Sequence, residues 1–233
     1  MKRIKLHREG YAFIFIVFLL LVILNVFLFV SLENLYIPIV SSVLSIALFI
    51  FFIYFFRNPV RQCKTDDPNI VVSAADGRIV AIEPVKVEEY FDGQEMMQVS
   101  VFMSVFSVHA NWYPMNGLVK YAKHHSGRHF AAFLPKSSQE NEHSSVVIEN
   151  ENKIVIMVRQ IAGALARRVV CYSREGHICS VNEHMGFIKF GSRVDHFFPM
   201  NSQIMVAIGD QSSANQTVLA RLQPEAPIAE KKA

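Results

Sequence analysis

The sequence predicts a mainly β (α+β) domain, of barrel or sandwich type, that follows an N-terminal transmembrane hairpin of two helices. Two long uncharged runs near the N-terminus, residues 11–31 and 35–56, predict the hairpin. Short β-branched and aromatic segments, separated by Asp-Gly and other glycine turns, predict the β domain. The chain of 233 residues is long enough for one modest domain beside the hairpin.

The two uncharged runs have the length of membrane spans. They contain 21 and 22 residues, and at about 1.5 Å per residue each covers about 30 Å, the thickness of the hydrocarbon layer. Leu32, Glu33 and Asn34 separate them, which leaves room for a tight turn. A pair of buried helices or a cleaved signal peptide would also be apolar. The first run lacks a small-residue cleavage site and a second run follows at once, so the hairpin is favoured.

Basic residues flank the hairpin on both sides and predict its orientation. They are Lys2, Arg3, Lys5 and Arg8 before it, and Arg57, Arg61 and Lys64 after it. The positive-inside rule places both flanks, and the domain that follows, on the cytoplasmic side of the inner membrane. The net charge of +3 belongs largely to these flanks. It favours contact with anionic membrane lipid and gives no reason to expect a nucleic-acid partner.

The remaining chain divides into a polar linker (57–69), a domain (70–222) and a charged, alanine-rich tail (223–233) that we expect to be disordered. Strand-like segments include residues 79–85, 97–108, 153–161 and 203–208. Residues 121–149 are polar and histidine-rich, with few strand signals. We therefore predict a long loop there, with one helical turn.

Three short segments could carry chemistry, because they offer a carboxylate, an imidazole and a hydroxyl. They contain Asp76, His109 and Ser192, the parts of an activated serine. Spacing alone does not bring them together, and two of them also have a purely structural interpretation: Asp76 as part of an Asp-Gly turn, and His109 as a structural histidine. The G-x-S-x-G pattern of the common serine hydrolases is absent from the sequence.

Six segments together resemble the short, bacterial and archaeal-type branch of the phosphatidylserine decarboxylases. They are the Asp-Gly turn at Asp76, residues 102–109 ending at His109, Asn141-Glu142, residues 160–163, residues 166–168 and residues 186–195. The resemblance implies a barrel-like, mainly β fold and self-cleavage between Gly191 and Ser192. It also implies that phosphatidylserine is the substrate and phosphatidylethanolamine and CO₂ are the products.

The resemblance further implies the roles of the residues. Ser192 would attack the carbonyl of Gly191, His109 would accept the hydroxyl proton, and Asp76 would hold His109 in the correct tautomer. Ser192 would then become a pyruvoyl cofactor that forms a Schiff base with the substrate amine. The products of cleavage, chains 1–191 and 192–233, would stay together as a heterodimer. A homo-oligomer is left open as a further partner.

Several residues near these motifs invite further hypotheses. Arg167, Arg168 and Arg193 match the family and are candidate contacts for the substrate phosphate and carboxylate. Longer relatives have a second histidine where this chain has Trp112, which we leave out of the catalytic set. Gln160 and Asn141 are expected to fix loops.

No metal is expected. His124, His125, His129 and His143 lack the cysteine or carboxylate pattern of a known metal site. Two alternatives to the decarboxylase stay open at this point: a membrane-tethered serine hydrolase that uses the same Asp76, His109 and Ser192, and an inert β-barrel module.

Overall fold

A computed structural model describes residues 4–65, 67–127, 141–163, 168–189 and 191–224. The chain divides into two compact units, Met1–Val60 and Arg61–Ala233. The first holds two apolar helices and the second is mainly β, which confirms the predicted fold class. The predicted disordered tail falls mostly on residues 225–233, which lie outside the described residues, as does His129.

The first unit is the predicted helical hairpin. Helix α1 covers Tyr11–Ser31 and helix α2 covers Tyr36–Phe55, within one residue of the predicted spans at each end. Both helices are long and apolar enough to cross a membrane. A 3₁₀ helix, Arg8–Gly10, precedes α1. The composition and length of this unit support membrane association.

The half-buried polar groups of the hairpin bind one another across the two helices. Asn25 on α1 donates to the Ser45 hydroxyl at 2.8 Å and accepts from the Ser42 hydroxyl at 3.1 Å, both on α2. These hydrogen bonds across the helix pair explain why an amide is tolerated within an apolar run. Large apolar side chains such as Phe15 and Leu44 are exposed, as expected for helices that face lipid.

The predicted linker begins with a short strand. Strand β1, Ile4–Leu6, pairs antiparallel with β2, Arg57–Pro59, so that Lys5 lies opposite Asn58. Because the two helices are antiparallel, the segment before α1 and the segment after α2 lie at the same end of the hairpin, close enough to pair. The polar composition of residues 57–69 gave no strand signal.

The described residues of the second unit contain fourteen further strands: β3 Ile70–Val72, β4 Gly77–Val87, β5 Gln94–Met103, β6 Ala110–Trp112, β7 Gly117–His125, β8 His143–Glu149, β9 Val155–Ala162, β10 Val169–Cys171, β11 Ile178–Cys179, β12 His184–Ile188, β13 Ser192–Pro199, β14 Gln203–Ile204, β15 Gln211–Ser212 and β16 Val218–Arg221. Eight form an antiparallel sheet in the order β11-β7-β8-β9-β13-β5-β4-β15, which curls into a half-barrel. Two three-stranded sheets, β10-β12-β6 and β14-β16-β3, complete the unit.

The eight-stranded sheet has two buried faces. Successive side chains on a strand point to opposite faces, and on β13 Val194 and Phe198 join the main core while Phe197 joins a smaller cluster. Ser192 shares the parity of Val194 and so faces the main core. Arg193 lies on the opposite face.

The prediction of a loop over residues 121–149 is wrong at both ends, where the structure has strands. Strand β7 continues to His125 and β8 begins at His143, and the two strands pair along their length. The strand signal is hidden because buried polar residues replace the usual apolar ones. Ser144 donates to Gln160 at 2.8 Å, and Ser145 donates to Glu89 at 2.7 Å.

Candidate functional site

Ser192 lies at the start of a central strand and is fully buried. Its backbone pairs with Met103 on β5 and Ala162 on β9. Its hydroxyl donates to the thioether sulfur of Met103 at 3.2 Å. A thioether is a weak acceptor, so this contact holds the hydroxyl in place without binding it strongly.

Gly191 precedes β13 in a left-handed conformation, with φ of +65°. Among the described residues other than its chain neighbours, none places a heavy atom within 4 Å of the position that a Cβ would occupy. The conformation, and not crowding, is therefore the reason for glycine at this position.

Both polar groups of Gly191 are bound. Its carbonyl accepts a hydrogen bond from the backbone N–H of Gly163 at 3.1 Å. Its own N–H donates to Nε2 of His109 at 3.4 Å. The carbonyl that Ser192 would attack thus already faces a backbone donor, the arrangement that stabilises an oxyanion.

His109 is fully buried beside Gly191. Nδ1 lies 3.0 Å from the carbonyl oxygen of Ser107. Because Nε2 accepts from Gly191, the ring proton belongs on Nδ1, which donates to Ser107. The strands β6 and β12 fix this position, since Ile188 N–H donates to the His109 carbonyl at 3.2 Å. The lone pair that a general base would use is on Nε2, the nitrogen next to Gly191.

Asp76 follows a buried segment that touches the same strands. Arg61 binds both oxygens of the Asp76 carboxylate, and the N–H of Ala214 donates to it at 2.8 Å. Nearby, Trp112 N–H donates to the Ala74 carbonyl at 3.1 Å, which joins the segment to β6. The Asp76 carboxylate is bound by Arg61 and Ala214, and His109 Nδ1 is bound by the Ser107 carbonyl. The role of Asp76 in holding His109 stays a prediction.

His196 anchors the same segment to β13. Its Nε2 accepts from the N–H of Ala74 at 3.0 Å. Burial lowers the pKa of His196 to about 4, against the weaker effects of Val99 and Asp195. The ring is therefore neutral at physiological pH and acts as a fixed acceptor.

A chain of neutral amides lies beneath the site. Ser144 donates to Gln160, and Gln160 donates to the side-chain oxygen of Asn111 at 2.7 Å. The Asn111 amide in turn contacts the Met103 sulfur at 3.9 Å. All of these side chains are fully buried. This series of hydrogen bonds holds Met103, the side chain that contacts the Ser192 hydroxyl.

The amino-acid sequence matches a known protein family. A sequence profile described as phosphatidylserine decarboxylase matches residues 48–220. The chain belongs to the phosphatidylserine decarboxylase family. A protein from Phocaeicola vulgatus named phosphatidylserine decarboxylase proenzyme is 46% identical over 222 residues, which is 95% of this chain and 97% of the relative. Proteins of the same name from Porphyromonas gingivalis and Cytophaga hutchinsonii are 50% and 42% identical, over 77% and 92% of this chain and 81% and 97% of the relatives.

The three arginines predicted to bind substrate differ in their exposure to solvent. Arg168 is exposed. Arg193 is 4% exposed, on the sheet face opposite Ser192, and its Nε lies 2.8 Å from Asp195. Arg167 lies outside the described residues. A role for the three in substrate binding stays a prediction, and Arg168 is the described one whose side chain reaches solvent.

Trp112 packs in the position where longer family members have a second histidine. It is 2% exposed, its ring lies 4.7 Å from that of His184, and the Arg61 guanidinium lies over it at 5.7 Å. The same arginine that binds Asp76 therefore also packs on Trp112.

Sequence reasoning missed three contributors to the site. Gly163 lies in one of the six family segments, and nothing in that segment indicates that its N–H meets Gly191. Met103 lay within another motif, next to no obvious chemistry. Arg61 was interpreted as a membrane flank, and its position 15 residues before Asp76 offered no sign of their pairing.

A second polar cluster, the Glu89 network, lies on the opposite face of the sheet. Glu89 accepts from Arg159 and Ser145 at 2.7 Å each and from Tyr121 at 3.0 Å, and it lies 2.6 Å from His125. The His125 ring stacks on that of His143 at 4.6 Å. This network joins β7, β8, β9 and the loop after β4.

Proposed function

We propose that this chain is a proenzyme that cleaves itself between Gly191 and Ser192, and then decarboxylates phosphatidylserine to phosphatidylethanolamine. The observation that carries the proposal is the arrangement at Gly191, whose carbonyl faces the Gly163 N–H and whose N–H faces His109 beside the buried Ser192. Membership of the phosphatidylserine decarboxylase family supports the substrate.

Cleavage begins with an exchange of partners. The Ser192 hydroxyl leaves the Met103 sulfur, and His109 Nε2 exchanges the Gly191 N–H for the hydroxyl proton. The oxygen of Ser192 then attacks the Gly191 carbonyl carbon, His109 takes the proton, and the Gly163 N–H stabilises the oxyanion. The C–N bond breaks as the amine takes up a proton, which leaves residues 191 and 192 joined by an ester.

The ester breaks by β-elimination. A base removes the Cα proton of residue 192 and the ester C–O bond breaks, which leaves a carboxylate on Gly191 and a dehydroalanine at residue 192. Tautomerisation and hydrolysis consume one water, release ammonia and leave a pyruvoyl group. Loss of the serine hydroxyl converts the side chain to a methyl, which suits its place against Met103 in the apolar core.

When formed, the pyruvoyl carbonyl supplies the electron sink for loss of CO₂ from an amino-acid headgroup. The residues of this chain then bind and orient the lipid. His109, released from Gly191, is the proposed proton donor to the product. Arg168 is the proposed contact for the headgroup phosphate or carboxylate.

The proposed products of cleavage are chains 1–191 and 192–233, held as a heterodimer. Strand β13 supports this, because it pairs with β5 on one side and β9 on the other. The proposed location is the inner membrane with the domain on the cytoplasmic side, supported by the two apolar helices and their basic flanks.

Intact mass measurement of the purified full chain, beside Ser192→Ala, tests the proposal. We expect two chains divided between residues 191 and 192, the shorter about 17 Da lighter than a chain that begins with serine, because ammonia has been lost. Ser192→Ala should stay intact. An uncut parent chain that an organophosphonate labels at Ser192 would instead identify a serine hydrolase.

A further inference from the structure

The donor to the Gly191 carbonyl is held from one side by Asn141. Gly163 follows Ala162, the last residue of β9. The Asn141 side chain donates to the Ala162 carbonyl at 2.7 Å, and the Ala162 N–H donates to the Glu142 carbonyl at 2.9 Å. Both groups of the residue before Gly163 are therefore bound by two consecutive residues. Asn141 is fully buried, so no water competes for its contact.

Glu142 also holds the chain where it re-enters the sheet. Its carboxylate accepts from the N–H of Val169 at 2.9 Å, and Val169 is the first residue of β10. The Glu142 side chain is 13% exposed and lies 3.7 Å from His124. Asn141 and Glu142 thus form hydrogen bonds with the chain at Ala162, just before Gly163, and Glu142 forms another at Val169.

We propose that Asn141 and Glu142 are positioning residues for self-cleavage, which act by aiming the Gly163 N–H at the Gly191 carbonyl. The inference rests on the proposed function. Removal of one oxyanion donor costs a reaction about 10²–10³-fold in rate, and a displacement of about 1 Å can cost about 10²-fold. A peptide N–H has no side chain of its own to hold it, so its aim depends on such neighbours.

A positioning role differs from a purely structural one in which reaction it affects. The Gly163 N–H faces a peptide carbonyl that exists only before cleavage, because Gly191 afterwards ends chain 1–191 in a carboxylate. Loosening Gly163 should slow cleavage and leave decarboxylation by molecules that have been cleaved unchanged. General destabilisation of the domain would lower both.

The chain offers a matched control at the far end of the same β8–β9 hairpin. Asn150 is 2% exposed, accepts from the Ile154 N–H at 2.9 Å and donates to the Pro68 carbonyl at 3.0 Å. Like Asn141, it donates from a buried amide to a backbone carbonyl, but it lies at the turn of that hairpin, at the opposite end of its strands from Gly163.

The experiment follows cleavage of newly synthesised full chains with time, by the appearance of chains 1–191 and 192–233, and then measures decarboxylation per cleaved molecule. Asn141→Ala should slow cleavage about tenfold or more, with unchanged decarboxylation per cleaved molecule. Glu142→Ala should also slow it, and Glu142→Gln should restore most of the rate because its amide oxygen still accepts from Val169. Asn150→Ala should lower the thermal midpoint and cleave at the parent rate.

The inference is overturned if Asn141→Ala and Glu142→Ala cleave as fast as the parent chain, or if Asn150→Ala is slowed as much as they are. Thermal midpoints identify a variant that has failed to fold, and the Glu142 pair then decides the outcome alone. A parent chain that never cleaves would overturn the proposed function itself, and the inference with it. Normal cleavage by the parent and all variants would leave the proposed function standing.

Discussion

The two faces of the eight-stranded sheet each bury histidines and hydroxyls, but they hold them differently. On the core face, Ser192 and His109 contact a thioether, a backbone carbonyl and a backbone N–H. On the other face, the members of the Glu89 network contact one another through a carboxylate and a guanidinium. The partners of the first group are neutral and individually weak, and those of the second are charged and strong.

This difference separates the groups that we propose to react from the groups that stabilise the fold. A nucleophile and a base must exchange partners during a reaction, so weak neutral contacts suit them. Burial alone would raise the pKa of Glu89, but the hydrogen bond from Ser145, the charge of Arg159 and the contacts with His125 outweigh it and lower the pKa to about 2. A carboxylate bound so firmly is poorly suited to proton transfer near neutral pH.

The largest expected effect comes from removing a histidine on each face. His109→Ala should slow self-cleavage by at least about 100-fold, because it removes the proposed general base. His125→Ala, which removes a histidine of the Glu89 network, should cleave at close to the parent rate. Both rates are measured by following the appearance of chains 1–191 and 192–233 from newly synthesised full chains. Normal cleavage by His109→Ala would place the base elsewhere and remove the proposed distinction between the faces.

A smaller effect is expected on stability, from Glu89→Gln. A carboxyl whose pKa is depressed on folding stabilises the protein above its unfolded pKa, and the benefit is lost as pH falls through the folded value. For Glu89 the window runs from about pH 4.5 down to about pH 2. The substitution should cost about 3 kcal/mol of unfolding free energy at neutral pH and flatten this acid limb.

Urea unfolding of the full chain in detergent, at several pH values, measures this effect. Glu175→Gln is the control, because Glu175 is exposed. Equal stability of the parent and Glu89→Gln at pH 7 would contradict the structural role assigned to the network.

The smallest expected effect is that of adding zinc, or removing metal with EDTA, on the thermal midpoint and the cleavage rate. Ligand atoms of Glu89, His125 and His143 lie within 4.8 Å of one another, a spacing that could hold an ion. However, the two imidazole planes are only 16° from parallel, so their electron pairs do not converge, and Arg159 already occupies Glu89. We expect neither zinc nor EDTA to shift the thermal midpoint or the cleavage rate. Saturable zinc binding that is lost in His143→Ala would show that the network rearranges into a metal site.

Contiguous patterns were predicted well from the sequence. The absence of charge over residues 11–31 and 35–56 predicted helices that end within a residue of those in the structure, because span length depends on local composition alone. Asp-Gly turns and β-branched segments predicted the β domain for the same reason. The strands that contain His125 and His143 were missed because polar side chains stand where a strand pattern has apolar ones. His125 is bound by Glu89, 36 residues away in the sequence, and His143 by the backbone of Asn141.

The sequence by itself determined the hairpin, the β class and the residue types at Asp76, His109 and Gly191-Ser192. Only the tertiary structure decided which groups meet: Gly163 with the Gly191 carbonyl, Arg61 with Asp76, and Ser107 with the His109 ring. The physical reason is that hydrophobic length and turn preference are local properties of the chain. The aim of a backbone N–H, by contrast, depends on strand register and on the side chains that grip its neighbours.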